Sequence, residues 1–147
     1  MLPNQALPKD VQKQMRGRQQ FKHGEQVVYE WEQNLDTVEI HITPPEWMLP
    51  KNLEMMKKQM KPGQKIPKFE IKIQSKHIKI GIEGNPAFID EDLEKPCDAS
   101  ESFWMIEDDE LHILLQKAVR AEVWACALKG HGQINAMVQE ETQKKIL

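Results

Sequence analysis

At 147 residues, 39% of them hydrophobic, the chain is long enough for one domain with a genuine core plus extensions, and two domains are not expected. Its formal net charge of −3 gives no bulk attraction to nucleic acid or to a membrane surface, and no window approaches eighteen apolar residues, so no helical membrane span is expected. Charge is segregated instead: residues 1–22 carry five basic groups and one acid, Pro44 to Lys68 six lysines and two glutamates, and Glu83 to Glu110 eleven acids and one lysine, which predicts faces of opposite sign.

Cys97 and Cys126 are the only cysteines, and the opening MLPNQALPKDVQKQ lacks the apolar run of a secretory signal, so a cytoplasmic, disulfide-free protein is expected. Residues 1–25 read as a basic arm or short helix, with Val11, Met15 and Phe21 as their apolar anchors. VVYEWEQ, from Val27, is a strand with Val27, Tyr29 and Trp31 on one face; DTVEIHIT is a second, with Val38, Ile40 and Ile42 inward and a turn at Asn34 to Asp36 between the two.

An insertion follows at 44–68. Within it Leu49, Leu53, Met56 and Met60 share one helical face, Pro50 suits a first turn, and KPG is the stop. Either the stripe docks on the sandwich edge, or the helix opens and Lys57, Lys58 and Lys61 draw acidic clients toward its methionines. Trp47, beside Pro44 and Pro45, is read as an exposed anchor.

KFEIKIQSKHIKIGIEG is a hairpin about Ser75 and Lys76. Ile73 pairs with Ile78, Ile71 with Ile80 and Phe69 with Ile82 on the inner face, which forces Lys72 against Lys79 outside, flanked by His77 and Glu70. Like charges facing across a ladder are mildly destabilising. The expected outer face is therefore basic, serving either recognition of an acidic partner or solubility. Ala87 to Ile89 and Leu93 to Cys97 read as short edge strands.

FWMIEDDELHILLQ makes a second hairpin about Asp108 and Asp109. Its core side pairs Ile106 with Leu111 and Trp104 with Ile113; its outer side pairs Phe103 with Leu114 and Met105 with His112. The outward apolar pair must be covered, by the N-terminal arm or a helix at Ala121 to Leu128, or offered to a partner. Trp31, Trp104 and Trp124 are expected to fill the core. The segment 131–147 carries the incomplete stripe Ile134, Met137, Val138 and Ile146, read as a truncated C-terminal helix able to pair two chains. The sum is an all-β, antiparallel β-sandwich of seven or eight strands with short flanking helices.

Chemistry is sparse. Five histidines and two cysteines lack paired zinc spacing, so a metal is expected only if the fold gathers them. Asp90, Glu91 and Asp92 are adjacent and point different ways, KGHGQ is too short a glycine cluster, and no Walker A, dinucleotide or Gly-x-Ser-x-Gly pattern is present. Neither catalysis nor a cofactor is expected.

The blocks YEWEQNLDTVEIHI, SKHIKIGIEGNPAFIDEDL and ESFWMIEDDELHILLQK, followed by EVWACAL, resemble the CS domain of the nuclear distribution protein C (NudC) family, closest to its short members. Carrying the resemblance are Tyr29 and Trp31, Gly84 and Pro86 ahead of Ile89 and Asp90, Trp104 through Glu107 and Asp108, and Trp124. It implies a CS domain over 26–130 in an α-crystallin-like sandwich. It also implies an ATP-independent chaperone or co-chaperone that limits aggregation of unstable clients, works with an ATP-dependent heat-shock chaperone, and supports dynein-linked nuclear movement. The alternative is an adaptor for one fixed partner. The chain departs from the family pattern in its longer insertion and in Glu91, where glycine is common.

Overall fold

Alternating β-branched residues and tight turns drive the described residues into eight strands, arranged as two antiparallel sheets. The computed structural model describes residues 18–132 and residue 144. In chain order the strands are β1 (Gln19–His23), β2 (Gln26–Gln33), β3 (Thr37–Ile42), β4 (Phe69–Ile73), β5 (His77–Ile82), β6 (Ile89–Asp92), β7 (Cys97–Glu107) and β8 (Glu110–Lys117). The larger sheet runs β1-β2-β3-β8-β7 and the smaller β4-β5-β6. The fold is the expected β-sandwich.

Period-two patterning sets which side chains meet. Tyr29 and Trp31 of β2, Val38, Ile40 and Ile42 of β3, and Leu111, Ile113 and Leu115 of β8 are buried against Ile78, Ile80 and Ile89 of the smaller sheet. Burial of such side chains contributes about 1.5 to 3 kcal/mol each. Between β2 and β3 the Asn34 side chain accepts from the Asp36 and Thr37 amides at 2.9 and 2.8 Å, closing the turn. The β4–β5 register is the expected one, Ile73 opposite Ile78 and Lys72 opposite Lys79. So is that of β7–β8, with Phe103 opposite Leu114 and Trp104 opposite Ile113.

Four expectations are corrected. Residues 19–23 form an edge strand rather than an arm or helix, because their amides and carbonyls pair with β2 and Phe21 packs on the core. The part of that segment before residue 18, and the C-terminal helix expected over 131–147, lie outside the described residues apart from His131, Gly132 and Lys144. Residues 121–128 are not helical. Their backbone bonds go to other elements: the Ala121 amide to the Leu35 carbonyl at 2.9 Å, the Ala127 carbonyl to the Glu94 amide at 3.2 Å, and a bridge from Leu128 to Leu93. Ala121 itself sits at φ 68°, which no right-handed helix allows. Trp124, Ala127 and Leu128 are completely buried, so the helix-like spacing of apolar residues records a strap pressed on the sandwich.

The two short strands expected over 87–97 are replaced by one, Ile89–Asp92, and Cys97 opens β7. Trp104 is the fourth correction. It is 39% exposed, because β7 is an edge strand and its ring meets the smaller sheet at Phe69 of β4, edge-on with centroids 5.9 Å apart, rather than lying beneath it. Trp31 and Trp124 are buried as expected.

Candidate functional site

The β4–β5 hairpin resolves its facing lysines with carboxylates. Glu70 places one oxygen 2.9 Å from Lys79 Nζ and 3.9 Å from Lys72 Nζ. His77 stands between two aspartates of the neighbouring strand, Nδ1 at 2.7 Å from Asp92 and Nε2 at 2.5 Å from Asp90. Both ring nitrogens facing carboxylates favours the imidazolium, so the His77 pKa is raised, first by Asp92 and then by Asp90. Glu70 is correspondingly held below the usual carboxylate range by Lys79. The face is a mixed-charge lattice, which corrects the expectation of a basic one.

In the insertion a 3-10 turn, Glu46–Met48, leads into α1 (Pro50–Gln59). Met48 and Leu49 anchor it, both buried, while no residue of α1 is buried. Leu53, Met56 and Met60 are half-covered, and Trp47 is exposed. Pro50 at the first helical position needs no amide partner, and the Leu53 amide reaches the Leu49 carbonyl at 3.0 Å. The stripe is neither fully docked nor free.

β7 offers the largest run of uncovered apolar side chains. Phe103, Trp104 and Met105 are consecutive and 47%, 39% and 40% exposed. Consecutive strand residues point to opposite faces, so this edge is apolar on both sides. Its register to β8 shifts between Asp98 and Phe103, where extra residues loop out, pinned by Ser100 Oγ donating to the Asp98 carboxylate at 2.6 Å and Ser102 Oγ donating to the Asp98 carbonyl at 2.7 Å.

A groove of about 710 Å³ opens where the sheets diverge, lined by Val27, Tyr29, Phe69, Ile82, Pro86 and Phe88 among others. Sequence reading missed it, because its walls come from five separated segments. Among the signature residues, Gly84 adopts φ 87° in the turn after β5, and the Tyr29 hydroxyl meets His131 Nδ1 at 2.9 Å. That histidine also stacks on Phe21, centroids 4.1 Å apart, and pairs through Nε2 with Glu91. The flanking Gly130 and Gly132, both at positive φ, give KGHGQ its role: they turn His131 back onto the sandwich, where it partners the unusual Glu91. Glu107 pairs with Glu110 across the β7–β8 turn. The expected contact residues Lys72, His77, Lys79, Trp47, Met56, Met60, Phe103 and Leu114 are thus spread over three regions, the β4–β5 hairpin, the 44–68 insertion and the β7–β8 pair, rather than gathered in one cleft.

Two further polar features escaped sequence reading. Lys117, on the inward parity of β8, is buried, and its Nζ donates to Gln33 Oε1, the Asn34 carbonyl and the Glu122 carbonyl at 3.1, 2.7 and 2.6 Å. Burial lowers its pKa to about 8. On the opposite face, β2, β3 and β8 gather Glu32, Glu39, His41, Glu110 and His112 beside Arg18. The His41 imidazole 3.7 Å away holds Glu32 down at about 2, whereas burial and then the neighbouring Glu32 raise Glu39.

Comparison with known proteins matches this architecture. The CS domain family model covers residues 27–117. Protein BOBBER 1 of Arabidopsis thaliana is 29% identical over 118 residues, 79% of this chain and 34% of that protein. Nuclear movement protein nudc of Schizosaccharomyces pombe is 30% identical over 122 residues, 82% of this chain and 65% of that one. The chain therefore spans about a third of the plant relative and under two thirds of the yeast one. The solution structure of the CS domain of human KIAA1068 protein superposes with a TM-score of 0.59 at 14% identity, covering 92% of this chain and 91% of that one, which supports the fold. With more than half its length matched by the family model and with these relatives, the chain belongs to the CS-domain family, as a NudC-like member.

Proposed function

We propose that this chain is an ATP-independent chaperone or co-chaperone whose β7 edge binds exposed apolar segments of unstable clients. One observation carries the reading: Phe103, Trp104 and Met105 are exposed in a row on a strand that, among the described residues, has a hydrogen-bonded neighbour on one side only. An open edge of this kind pairs with extended chains through its backbone, while its side chains grip apolar ones. Met105 supplies a polarizable, adaptable contact. The function is binding rather than catalysis. Kinship with a protein named for nuclear movement supports a role in nuclear movement; the cytoplasmic setting, the dynein link and company with an ATP-dependent heat-shock chaperone are parts of the proposal that follow from the family resemblance.

The test is aggregation of two unrelated heat-labile clients without nucleotide. The chain suppresses both, and the variant carrying Phe103→Ser and Met105→Ser melts normally but suppresses neither. Undiminished suppression by that variant removes the edge from the account. The groove supports a second reading, an adaptor for one fixed partner, since a concave apolar site about 710 Å³ in volume suits a single defined ligand segment. An adaptor protects neither client, and loses its partner when Phe88 is replaced by serine.

A further inference from the structure

Two glutamates oppose each other across β2 and β3, Glu32 directly opposite Glu39. Such a pairing is unfavourable unless a cation joins it. Beside them lies His41, 4% exposed, whose Nε2 is buried and has no hydrogen-bond partner among the described residues. The hydrogen-bond chain beyond it engages its other ring nitrogen. The Glu107 carbonyl, 3.2 Å from His112 Nε2, can only accept, so that nitrogen carries hydrogen. His112 Nδ1 lies 2.9 Å from His41 Nδ1, so the two rings share one hydrogen there and that nitrogen of His41 is engaged. His41 Nε2 is left facing two carboxylates, with a hydrogen bond to neither.

The spacing is that of metal ligands. Nε2 lies 3.7 Å from Glu32 Oε1 and 3.6 Å from Glu39 Oε2, too far for hydrogen bonds. All three donor atoms fall within 4.8 Å of one another. Ligand atoms around a tetrahedral zinc ion with bonds near 2.1 Å are about 3.4 Å apart. Arg18 leaves this gap open: its Nε faces the other oxygen of Glu32 at 3.6 Å, and its Nη2 turns to Glu110. The carboxylates are about one third exposed, so an ion reaches Nε2 from solvent between them.

We propose that His41 Nε2, Glu32 and Glu39 form a site for a divalent transition metal, zinc by its nitrogen and oxygen donors, with water in the fourth position. His112 acts as the partner that orients the ligating imidazole through its other nitrogen, the arrangement that fixes tautomer at metal-bound histidines. The ion cross-braces β2 and β3 and removes the repulsion between the facing glutamates.

The experiment uses the full chain freed of metal with a chelator and titrated with zinc chloride alone. One equivalent binds, the melting temperature rises, and magnesium produces neither effect. In the variant with Glu32→Gln and Glu39→Gln, zinc affinity falls at least about tenfold, while the metal-free melting temperature falls only modestly, because the repulsion and the pairing of Glu32 with Arg18 are lost together. Should that variant fail to fold, Glu39→Gln alone carries the same expectation for zinc affinity. Histidine proton–nitrogen correlation spectra show zinc on Nε2 of His41. Absence of binding by the wild type at about 100 μM zinc, undiminished binding by the glutamine variants, or zinc on Nδ1 toward His112 and Glu110 overturns the proposal.

Discussion

Replacing Lys117 with methionine removes a charge from the sandwich interior while keeping the length of the side chain. The ammonium is nearly completely enclosed, and burial moves its pKa from 10.5 to about 8. A lysine whose folded pKa lies below its unfolded value binds fewer protons when folded, so its penalty is fully present below pH 8 and is relieved as pH rises toward 10.5. At about 1.4 kcal/mol per unit, nearly complete relief would recover about 3 kcal/mol. The three oxygens accepting from Nζ favour the charged form, which reduces the expected gain to about 2 kcal/mol between pH 7 and pH 10. Other groups act oppositely there. Tyr29 and Cys126 have pKa values raised by burial, the thiol to about 12, and so cost stability at high pH. The informative quantity is therefore a difference: urea unfolding of wild type and Lys117→Met at both pH values, taken as the change in wild-type stability minus that of the variant. The expected result is about +2 kcal/mol. A difference within about 0.5 kcal/mol of zero refutes the reasoning and means the carbonyls compensate the ammonium fully.

Other outcomes follow from the same geometry. Trp104→Ala costs about 2 kcal/mol in urea unfolding, below the 3 to 5 typical of a fully buried aromatic, because the ring is 39% exposed and meets one ring edge-on; a loss of about 4 or more contradicts its exposed placement. Asp108 and Asp109 sit at φ 52° and 58°, the left-handed pair of a tight hairpin turn, so Asp109→Gly raises stability by about 0.5 to 1 kcal/mol, and a lower melting temperature counts against that turn. Gly81→Ala lowers the melting temperature, since an added Cβ would lie 3.2 Å from the Ala87 Cα; an unchanged value shows that the 86–88 loop yields. Replacing Met56 and Met60 with serine lowers the melting temperature only modestly, as α1 has no buried residue, and a large drop means that the stripe is docked more deeply than its half-covered state indicates.

Periodicity alone determined most of the sandwich. The alternations Tyr29–Trp31, Val38–Ile40–Ile42, Ile78–Ile80 and Leu111–Ile113–Leu115 leave one sensible face inward, and a one-residue slip would have exposed every one of them. Turn residues then fixed the cross-strand partners, down to Lys72 against Lys79. Local pattern was silent on what lies beside a strand. Trp104 has the inward parity of a core residue, yet strand order put β7 at an edge and left the ring half bare. The strap at 121–128 carried helical spacing, but tertiary hydrogen bonds to Leu35 and Glu94 outweighed a weak local preference. His41 and His112 are separated by 71 positions, and only the pairing of β3 with β8 makes them neighbours. The same holds for His77 with its two aspartates and for Lys117 with its three oxygens. Side-chain parity is encoded residue by residue along one strand, whereas strand order arises from burying all the apolar faces at once, so polar clusters built across strands existed only after the chain had folded.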